Sequence, residues 1–199
     1  LNVNSLQPGM ANVYGGHLSF VDYNNDGFLD ISMSGLATVN FSTFTALLLY
    51  KWENGTYVLD DNENQLSITD GYWGGQYNHD WADYDNDGDL DLVSGGISIF
   101  DNTNYLTVFK NNNGILSKDT VQNELIPLFP CALIWIDINR DNYADLLTLG
   151  RLELSGVSHM YINDGMGRLI KSSDQPFEIP SILHAISVGD HNSDGYDDI

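Results

Sequence analysis

Acidic residues recur at every second position in a short stretch of the chain, residues 83–91, which reads D-Y-D-N-D-G-D-L-D. Two unit charges about 4 Å apart repel by roughly 1 kcal/mol in water and several-fold more near a protein surface. A divalent cation among the carboxylates converts this repulsion into attraction. Ca²⁺ takes about six to eight oxygen ligands, carboxylates and carbonyls among them. The stretch therefore indicates a calcium loop, the alternative being a solvated acidic turn.

The same spacing occurs in four loops, which makes the solvated turn a poor explanation. Counted from the first Asp, positions 1, 3, 5 and 9 are predicted to offer side-chain oxygens and position 7 a backbone carbonyl. The predicted side-chain ligands are Asp22, Asn24, Asp26 and Asp30 (loop 22–30); Asp83, Asp85, Asp87 and Asp91 (loop 83–91); Asp137, Asn139, Asp141 and Asp145 (loop 137–145); and Asp190, Asn192, Asp194 and Asp198 (loop 190–198). The predicted carbonyl ligands are Phe28, Asp89, Tyr143 and Tyr196. We expect up to four bound Ca²⁺ ions.

The ligand sets also predict a ranking of affinity. The second loop has Asp85 at position 3 where the others have Asn, so it offers one more carboxylate and is predicted to bind most tightly. The third loop has Asn142 where the others have Gly, and Arg140 adds a cation beside it. It is therefore predicted to empty first.

Two other calcium motifs do not fit. An EF-hand loop needs a bidentate Glu at position 12 and a helix on each side. Position 12 is Met33, Ser94 or Thr148 in the loops that reach it. Thrombospondin-type repeats would bring several cysteines, whereas Cys131 is the single one here.

The loops are parts of a longer repeat, because they recur at intervals of 53 to 61 residues. A short apolar stretch follows each of the first three loops and is predicted to be a buried strand, bounded by Gly35, Gly95 or Gly150. Each interval then adds a strand, a turn of Asn or Asp before Gly, and another strand. Four strands per period with no helical periodicity predict an all-β fold, a β-propeller of four-stranded blades. A β-sandwich would lack the repetition.

These residues resemble the FG-GAP and VCBS-type repeats of integrin α-subunit propellers and related proteins. The resemblance rests on D-x-[DN]-x-D-G-x-x-D before an aliphatic strand, on the small-residue turns at 34–36, 94–96 and 149–151, and on the Y-x-N-x-G hairpin. Tyr14-Gly15-Gly16 and Trp73-Gly74-Gly75 look like degenerate Phe-Gly elements. The Gly-Ala-Pro element is intact nowhere, so the resemblance does not extend to integrins proper.

Length bears on the architecture. The 199 residues hold three periods and the start of a fourth. A ring of six to eight blades, with seven favoured, requires a longer chain, and an open arc leaves sheet faces and edges bare. We therefore expect residues 1–199 to be a partial propeller from a longer protein.

Charge limits the partners. The chain carries 28 acidic and 7 basic residues, a formal net charge of −21, and four Ca²⁺ ions would leave about −13. Nucleic acid and anionic membranes require basic patches, so neither is an expected partner. No stretch of about 20 apolar residues predicts insertion into a membrane. The expected partner is a protein or a glycan bound to the propeller surface.

No catalytic motif is recognisable. The five histidines (17, 79, 159, 184 and 191) share no register with the loops, and the paired carboxylates are assigned to metal. His79 and His184 are interpreted as structural. We therefore expect a non-catalytic, calcium-binding module for protein binding, cell adhesion or surface assembly. The alternative is a carbohydrate-binding, lectin-like or polysaccharide-lyase-associated propeller that uses the aromatic residues at 72–73 and 77–81, although packing between blades is the simpler explanation of these.

Calcium also indicates the compartment. Sites of this type are expected to need extracellular calcium concentrations, so the protein is predicted to be secreted or on the cell surface. Asn40-Phe41-Ser42 and Asn54-Gly55-Thr56 are glycosylation sequons, but chance alone yields as many in a chain so rich in Asn, Ser and Thr.

Overall fold

The computed structural model describes residues 10, 12–39, 42–60, 78–97, 103–152, 155–174, 186–195 and 198–199. Within these residues the elements are strands, and they form three antiparallel sheets of four strands each. The first sheet contains β1 (Asn12–Val21), β2 (Asp30–Val39), β3 (Ser42–Glu53) and β4 (Thr56–Leu59). The second contains β5 (Asn78–Ala82), β6 (Asp91–Ile97), β7 (Asn104–Asn112) and β8 (Ile115–Lys118). The third contains β9 (Phe129–Ile136), β10 (Asp145–Leu152), β11 (Ser155–Asn163) and β12 (Leu169–Lys171).

Each sheet is a meander in which consecutive strands are hydrogen-bonded neighbours. The predicted all-β class and the four strands per period are confirmed. The hairpin turns Asn54-Gly55 and Asn113-Gly114 have positive φ at both residues, which is the type I′ geometry that Asn before Gly favours. A turn of this type matches the right-handed twist of the strands it joins.

The prediction that glycines end the second strand of each sheet was wrong. β2, β6 and β10 continue through Gly35, Gly95 and Gly150 for two to four residues. These glycines are paired in the ladders, Gly35 with Ala46 for example. A glycine inside a strand often marks a close approach of another backbone rather than the end of the element.

The first sheet shows such a close approach. β1 has a register shift between Tyr14 and His17, where Gly15 has a φ of 65°. A Cβ atom added to Gly16 would lie 1.5 Å from the carbonyl oxygen of Ser34. The Tyr14-Gly15-Gly16 element therefore forms a β-bulge whose second glycine accepts no side chain. Its counterpart Trp73-Gly74-Gly75 lies outside the described residues.

The core lies between successive sheets. The first and second sheets bury an apolar layer between them, and so do the second and third. The first layer consists of Val21, Tyr23, Leu47, Leu49, Leu92, Phe109 and Leu116. The second consists of Tyr84, Val93, Leu106, Val108, Leu133, Trp135, Leu146, Tyr161 and Leu169. On the far side of the third sheet, Ile186 and Val188 pack on Ile136 and Leu147, so the segment after that sheet continues the stacking.

A polar cluster also joins the first two sheets. The indole Nε1 of Trp81 donates to Ser32 Oγ at 2.9 Å. The His79 ring lies between Ser32 Oγ (2.7 Å) and Ser34 Oγ (2.8 Å), and it is buried. Burial lowers the pKa of His79 to about 3, so its ring is neutral at pH 7. The interpretation of His79 as a structural residue is confirmed, while His184 lies outside the described residues.

Two asparagines connect the third strand of one sheet to the acidic loop of the sheet before it. Asn111 Nδ2 donates to the carbonyl oxygens of Tyr23 (2.7 Å) and Leu90 (2.8 Å), and its Oδ1 accepts from the amide of Gly114 (2.8 Å). Asn163 repeats this in the third sheet with Tyr84, Ala144 and Gly165 as partners. These two asparagines therefore fix the position of the second sheet on the first and of the third on the second.

Replacing Asn111 with alanine is expected to destabilise the chain strongly. It leaves the carbonyls of Tyr23 and Leu90 without their donor, and each unsatisfied buried polar group destabilises by about 1–3 kcal/mol. Urea denaturation should show a loss of at least about 2 kcal/mol in the free energy of unfolding. Asn112→Ala is the matched control, because this neighbouring side chain is exposed and should change stability by less than about 0.5 kcal/mol. Equal effects of the two substitutions would contradict this role of Asn111.

Candidate metal centre

The four acidic loops share one set of backbone hydrogen bonds. In each loop the two carboxylate oxygens of position 1 accept from the amides of positions 5 and 6, at 2.8–3.1 Å. In the first three loops Oδ1 of position 5 accepts from the amide of position 7 at 2.9 Å. The position-1 residues are Asp22, Asp83, Asp137 and Asp190. The carboxylates thus fold each loop back around its own first residue.

Two positions in every loop take a left-handed backbone conformation. Position 6, which is Gly in three loops and Asn142 in the third, has φ of 66° to 97°. Position 4 does so as well, with φ of 57° to 67°, and sequence analysis missed it. The position-4 residues are Asn25, Asn86, Arg140 and Ser193. Asn at this position in two loops was the available signal, because Asn tolerates positive φ better than most residues.

The aspartates at position 9 are fully buried in the first three loops. Asp30, Asp91 and Asp145 have no exposed surface. Each uses Oδ1 to accept a backbone amide of the third strand of its sheet, at 2.7–2.8 Å. Oδ2 of Asp145 accepts from the amide of Ile138 at 3.0 Å. Oδ2 of Asp30 and of Asp91 is buried and has no hydrogen-bond partner among the described residues.

Burial changes the acidity of these aspartates. Desolvation, with a smaller contribution from neighbouring loop carboxylates, raises the pKa of Asp30 to about 6 and that of Asp91 to about 7. Burial also raises the pKa of Asp145. In each case burial disfavours the ionised form, and the backbone amides that donate to the carboxylate offset this only in part. A cation in the loop would supply that compensation.

The second loop brings three carboxylates together. One oxygen from each of Asp83, Asp85 and Asp91 lies within 4.8 Å of the other two. Oδ1 of Asp85 is buried, and no group in the described part of the chain hydrogen-bonds to it. Its Oδ2 pairs with Lys110 Nζ at 2.6 Å. Because the donors are all hard oxygens, without thiolate or imidazole, they fit Ca²⁺ better than a soft transition metal.

The remaining predicted ligands occupy less buried parts of the loops. At position 3, Oδ1 of Asn24, Asn139 and Asn192 accepts the amide of position 5 at 2.8–3.1 Å, so these side chains fold inward. The position-5 side chains are exposed at the surface: Asp26, Asp87, Asp141 and Asp194. The carbonyl roles of Phe28, Asp89 and Tyr143 stay predictions, and Tyr196 lies outside the described residues.

Side chains at position 4 connect neighbouring loops. Asn25 Nδ2 donates to a carboxylate oxygen of Asp89 in the second loop. Asn86 Nδ2 donates to the carbonyl oxygen of Asn142 in the third, at 3.3 Å. Arg140, at the same position of the third loop, lines a cleft with Asp190 of the fourth. The cleft also contains Asp137 of the third loop, so Arg140 lies where the third and fourth loops meet.

The fourth loop is more open than the others. Asp198, at position 9, accepts from the amide of His191 at 3.1 Å and pairs with His191 Nδ1 at 2.6 Å. The side chain of Asp198 is partly exposed, in contrast to the fully buried Asp91. Because solvent and an imidazole already contact the Asp198 carboxylate, a metal ion would stabilise it less than it would stabilise Asp91.

Tyrosine at position 2 makes a contact that sequence analysis did not identify. The hydroxyl of Tyr23 donates to Asp60 Oδ2 at 2.5 Å, and that of Tyr84 donates to Asp119 Oδ2 at 2.7 Å. Each acceptor directly follows the fourth strand of the same sheet. The repeated Tyr and the repeated Asp were visible in the sequence, but a separation of 35 or more residues hid their pairing.

The fold and the loops define a repeat protein in which an acidic loop joins the first two strands of each sheet. The FG-GAP-like repeat family matches residues 83–148 and 137–199, which together are more than half of the chain. The chain therefore belongs to the FG-GAP-like repeat family, as its motifs predicted. Comparison with curated proteins gave no significant match. No helix among the described residues is long and apolar enough to cross a membrane.

Proposed function

We propose that the chain is a non-catalytic, calcium-stabilised β-propeller module that binds a protein partner in adhesion or surface assembly outside the cell. The observation that carries the proposal is the pair of buried carboxylate oxygens, on Asp30 and Asp91, that have no hydrogen-bond partner in the described structure. Burying a carboxylate with one oxygen left without a hydrogen bond is unfavourable. A divalent ion held by the loop oxygens would remove this penalty at each site.

The loops occupy the junctions between sheets, which supports a structural role for the ion. A Cβ atom added to Gly114 of the second sheet would lie 3.1 Å from Asn24 Cβ in the first loop. One added to Gly167 of the third sheet would lie 3.1 Å from Asp85 Cβ in the second loop. An ion that orders position 3 of a loop would therefore also stiffen the contact with the next sheet.

An exposed apolar face supports closure into a ring. Phe20 in β1 and Trp135 in β9 occupy equivalent positions. Each pairs with the residue that directly follows position 9 of its acidic loop, Ile31 or Leu146. Trp135 is 7% exposed because it packs on the second sheet, whereas Phe20 is 59% exposed. Leu18, two residues earlier on β1, is exposed as well. We propose that a further blade covers this face in a ring of six to eight blades, with seven favoured.

The proposed compartment follows from the proposed metal. Calcium sites of extracellular modules work at about 10⁻⁴–10⁻³ M, concentrations that the cytosol does not reach. The net charge of −21 makes the surface acidic, which favours a protein partner over nucleic acid. The alternative, a glycan-binding surface, would use the aromatic residues at 72–73 and 77–81. Of these, Trp81 packs between the first and second sheets.

Calcium titration of the full chain tests the proposal. A site at about 100 times its Kd stabilises by about 2.7 kcal/mol. For a domain of this size, about 1 kcal/mol shifts Tm by roughly 2–4 °C, so one filled site should raise Tm by about 5–10 °C. Isothermal titration calorimetry and thermal unfolding with calcium or with EDTA measure the two effects. Magnesium is the control and should act more weakly, because it prefers to keep its waters. Neither heat nor a Tm change with calcium would refute the calcium role.

A further inference from the structure

Lys110 lies beside the second loop. It precedes Asn111 near the end of β7, and its Nζ lies 2.6 Å from Asp85 Oδ2 and 5.6 Å from the centre of the Tyr84 ring. The Asp85 side chain is 13% exposed and that of Lys110 is 43% exposed. The ion pair is therefore shielded on its carboxylate side and open to water on its ammonium side.

Lys110 compensates the feature that distinguishes the second loop. At positions 1, 3, 5 and 9 this loop has four aspartates, whereas the other loops have three and an Asn at position 3. Pairing of Asp85 with Lys110 reduces the loop charge from −4 to −3, the value of the other loops. The extra carboxylate therefore does not add a full negative charge for a metal ion to neutralise.

The pairing also orients Asp85. Its Oδ2 is occupied by Lys110, while its Oδ1 is buried and has no partner in the part of the chain that is described. The carboxylate also contributes to the cluster with Asp83 and Asp91. One carboxylate thus takes part in both the ion pair with Lys110 and the acidic cluster.

We propose that Lys110 is a built-in counter-cation of the second loop, which keeps this loop folded without calcium and lowers its calcium affinity. The inference rests on the proposed calcium role of the loops. Without an ion, Lys110 offsets the mutual repulsion of Asp83, Asp85 and Asp91. With an ion, the ammonium repels it at close range, because both are cations. The second loop then depends less on calcium for its shape, and binds calcium less tightly, than its four carboxylates alone predicted.

The first sheet contains a natural comparison. Lys51 in β3 and Lys110 in β7 occupy equivalent positions. Each directly follows the residue that pairs with the first apolar residue of the second strand. The two pairs are Tyr50 with Ile31 and Phe109 with Leu92. Lys51 Nζ lies 3.2 Å from Glu53 Oε1 and 4.0 Å from Asp60 Oδ1, both outside the first loop. Position 3 of that loop is the neutral Asn24. Of these two lysines, it is Lys110 that pairs with an aspartate at position 3 of its loop.

Site-resolved calcium titration of Lys110→Met tests the proposal in the full chain. Methionine keeps an apolar side chain of similar length without the charge. The amide resonances of Gly88 and Gly27 report the second and first loops, because each amide donates to the position-1 carboxylate of its own loop. We expect Lys110→Met to lower the Kd at Gly88 about tenfold, which is about 1.4 kcal/mol, and to leave the Kd at Gly27 unchanged. In EDTA its Tm should fall below that of the wild type.

Two further variants complete the test. Lys51→Met should change neither Kd, and Lys110→Met in an Asp85→Asn background should lose most of its tenfold effect, because the partner charge is gone. An unchanged or higher Kd at Gly88 in Lys110→Met overturns the inference, and so does an unchanged Tm in EDTA. If the wild type shows no calcium response at Gly27 or Gly88, the proposed calcium role fails instead. The two failures are therefore distinguishable.

Discussion

Replacing Asp91 with asparagine is expected to weaken calcium binding at the second loop at least about 100-fold and yet to stabilise the calcium-free chain. The first effect follows because position 9 loses a buried carboxylate that lies in the cluster with Asp83 and Asp85. The second follows because burial raises the pKa of Asp91 to about 7, which means that its ionised form is unfavourable in the fold without an ion. Asparagine keeps an oxygen to accept the amide of Asn111.

The two effects have opposite signs, which makes the prediction specific. Thermal unfolding should give Asp91→Asn a higher Tm than the wild type in EDTA and a lower one in saturating calcium, both at pH 8. Asp80→Asn is the matched control. Asp80 also accepts a backbone amide, that of Trp135 at 2.8 Å, and burial raises its pKa, but it belongs to no loop. It should leave calcium affinity unchanged, and tight binding retained by Asp91→Asn would exclude Asp91 as a ligand.

Calcium affinity is expected to fall with decreasing pH, and to fall earlier at the second loop than at the first. The pKa of Asp91 is about 7 and that of Asp30 about 6, against an ordinary 3.8. In the ion-free fold, burial favours the protonated forms of Asp30 and Asp91. Their contribution to the free energy of unfolding is present below about pH 4, the ordinary pKa, and is lost as the pH rises through about 6 or 7. Calcium requires the ionised forms, so protons compete with it below these values.

One competing proton lowers apparent affinity about tenfold for each pH unit below the pKa. Between pH 8 and pH 5 we therefore expect a loss of about 100-fold at the second loop and about tenfold at the first, read from the Gly88 and Gly27 amides. The free energy of unfolding of the whole chain cannot replace this measurement, because the contribution of His79 to it has the opposite pH dependence. Its pKa is lowered to about 3, so its contribution is present above about pH 6.5 and is lost as the pH falls. Affinities independent of pH from 5 to 8 would contradict this prediction.

Much of the fold was predictable because its signals are local. The acidic loops form within nine residues, where the position-1 carboxylate accepts the amides four and five residues later. The Asn-Gly turns require only the left-handed conformation of two adjacent residues. Repetition of these local units predicted four-stranded sheets, and the family match confirmed the kind of repeat. A sequence window of one loop or one hairpin contains all the atoms that decide such features.

The tertiary structure decided which charges meet. Lys110 reaches Asp85 across 25 residues, and Asn111 reaches the carbonyl of Tyr23 across 88, because strand register and sheet packing bring them together. The same packing removes water from Asp30 and Asp91 and thereby raises their pKa. The sequence by itself determined the number and spacing of the carboxylates. Their compensation and burial depend on distant strands, since the electrostatic energy of a charge is set by its neighbours in space and by its exposure to water.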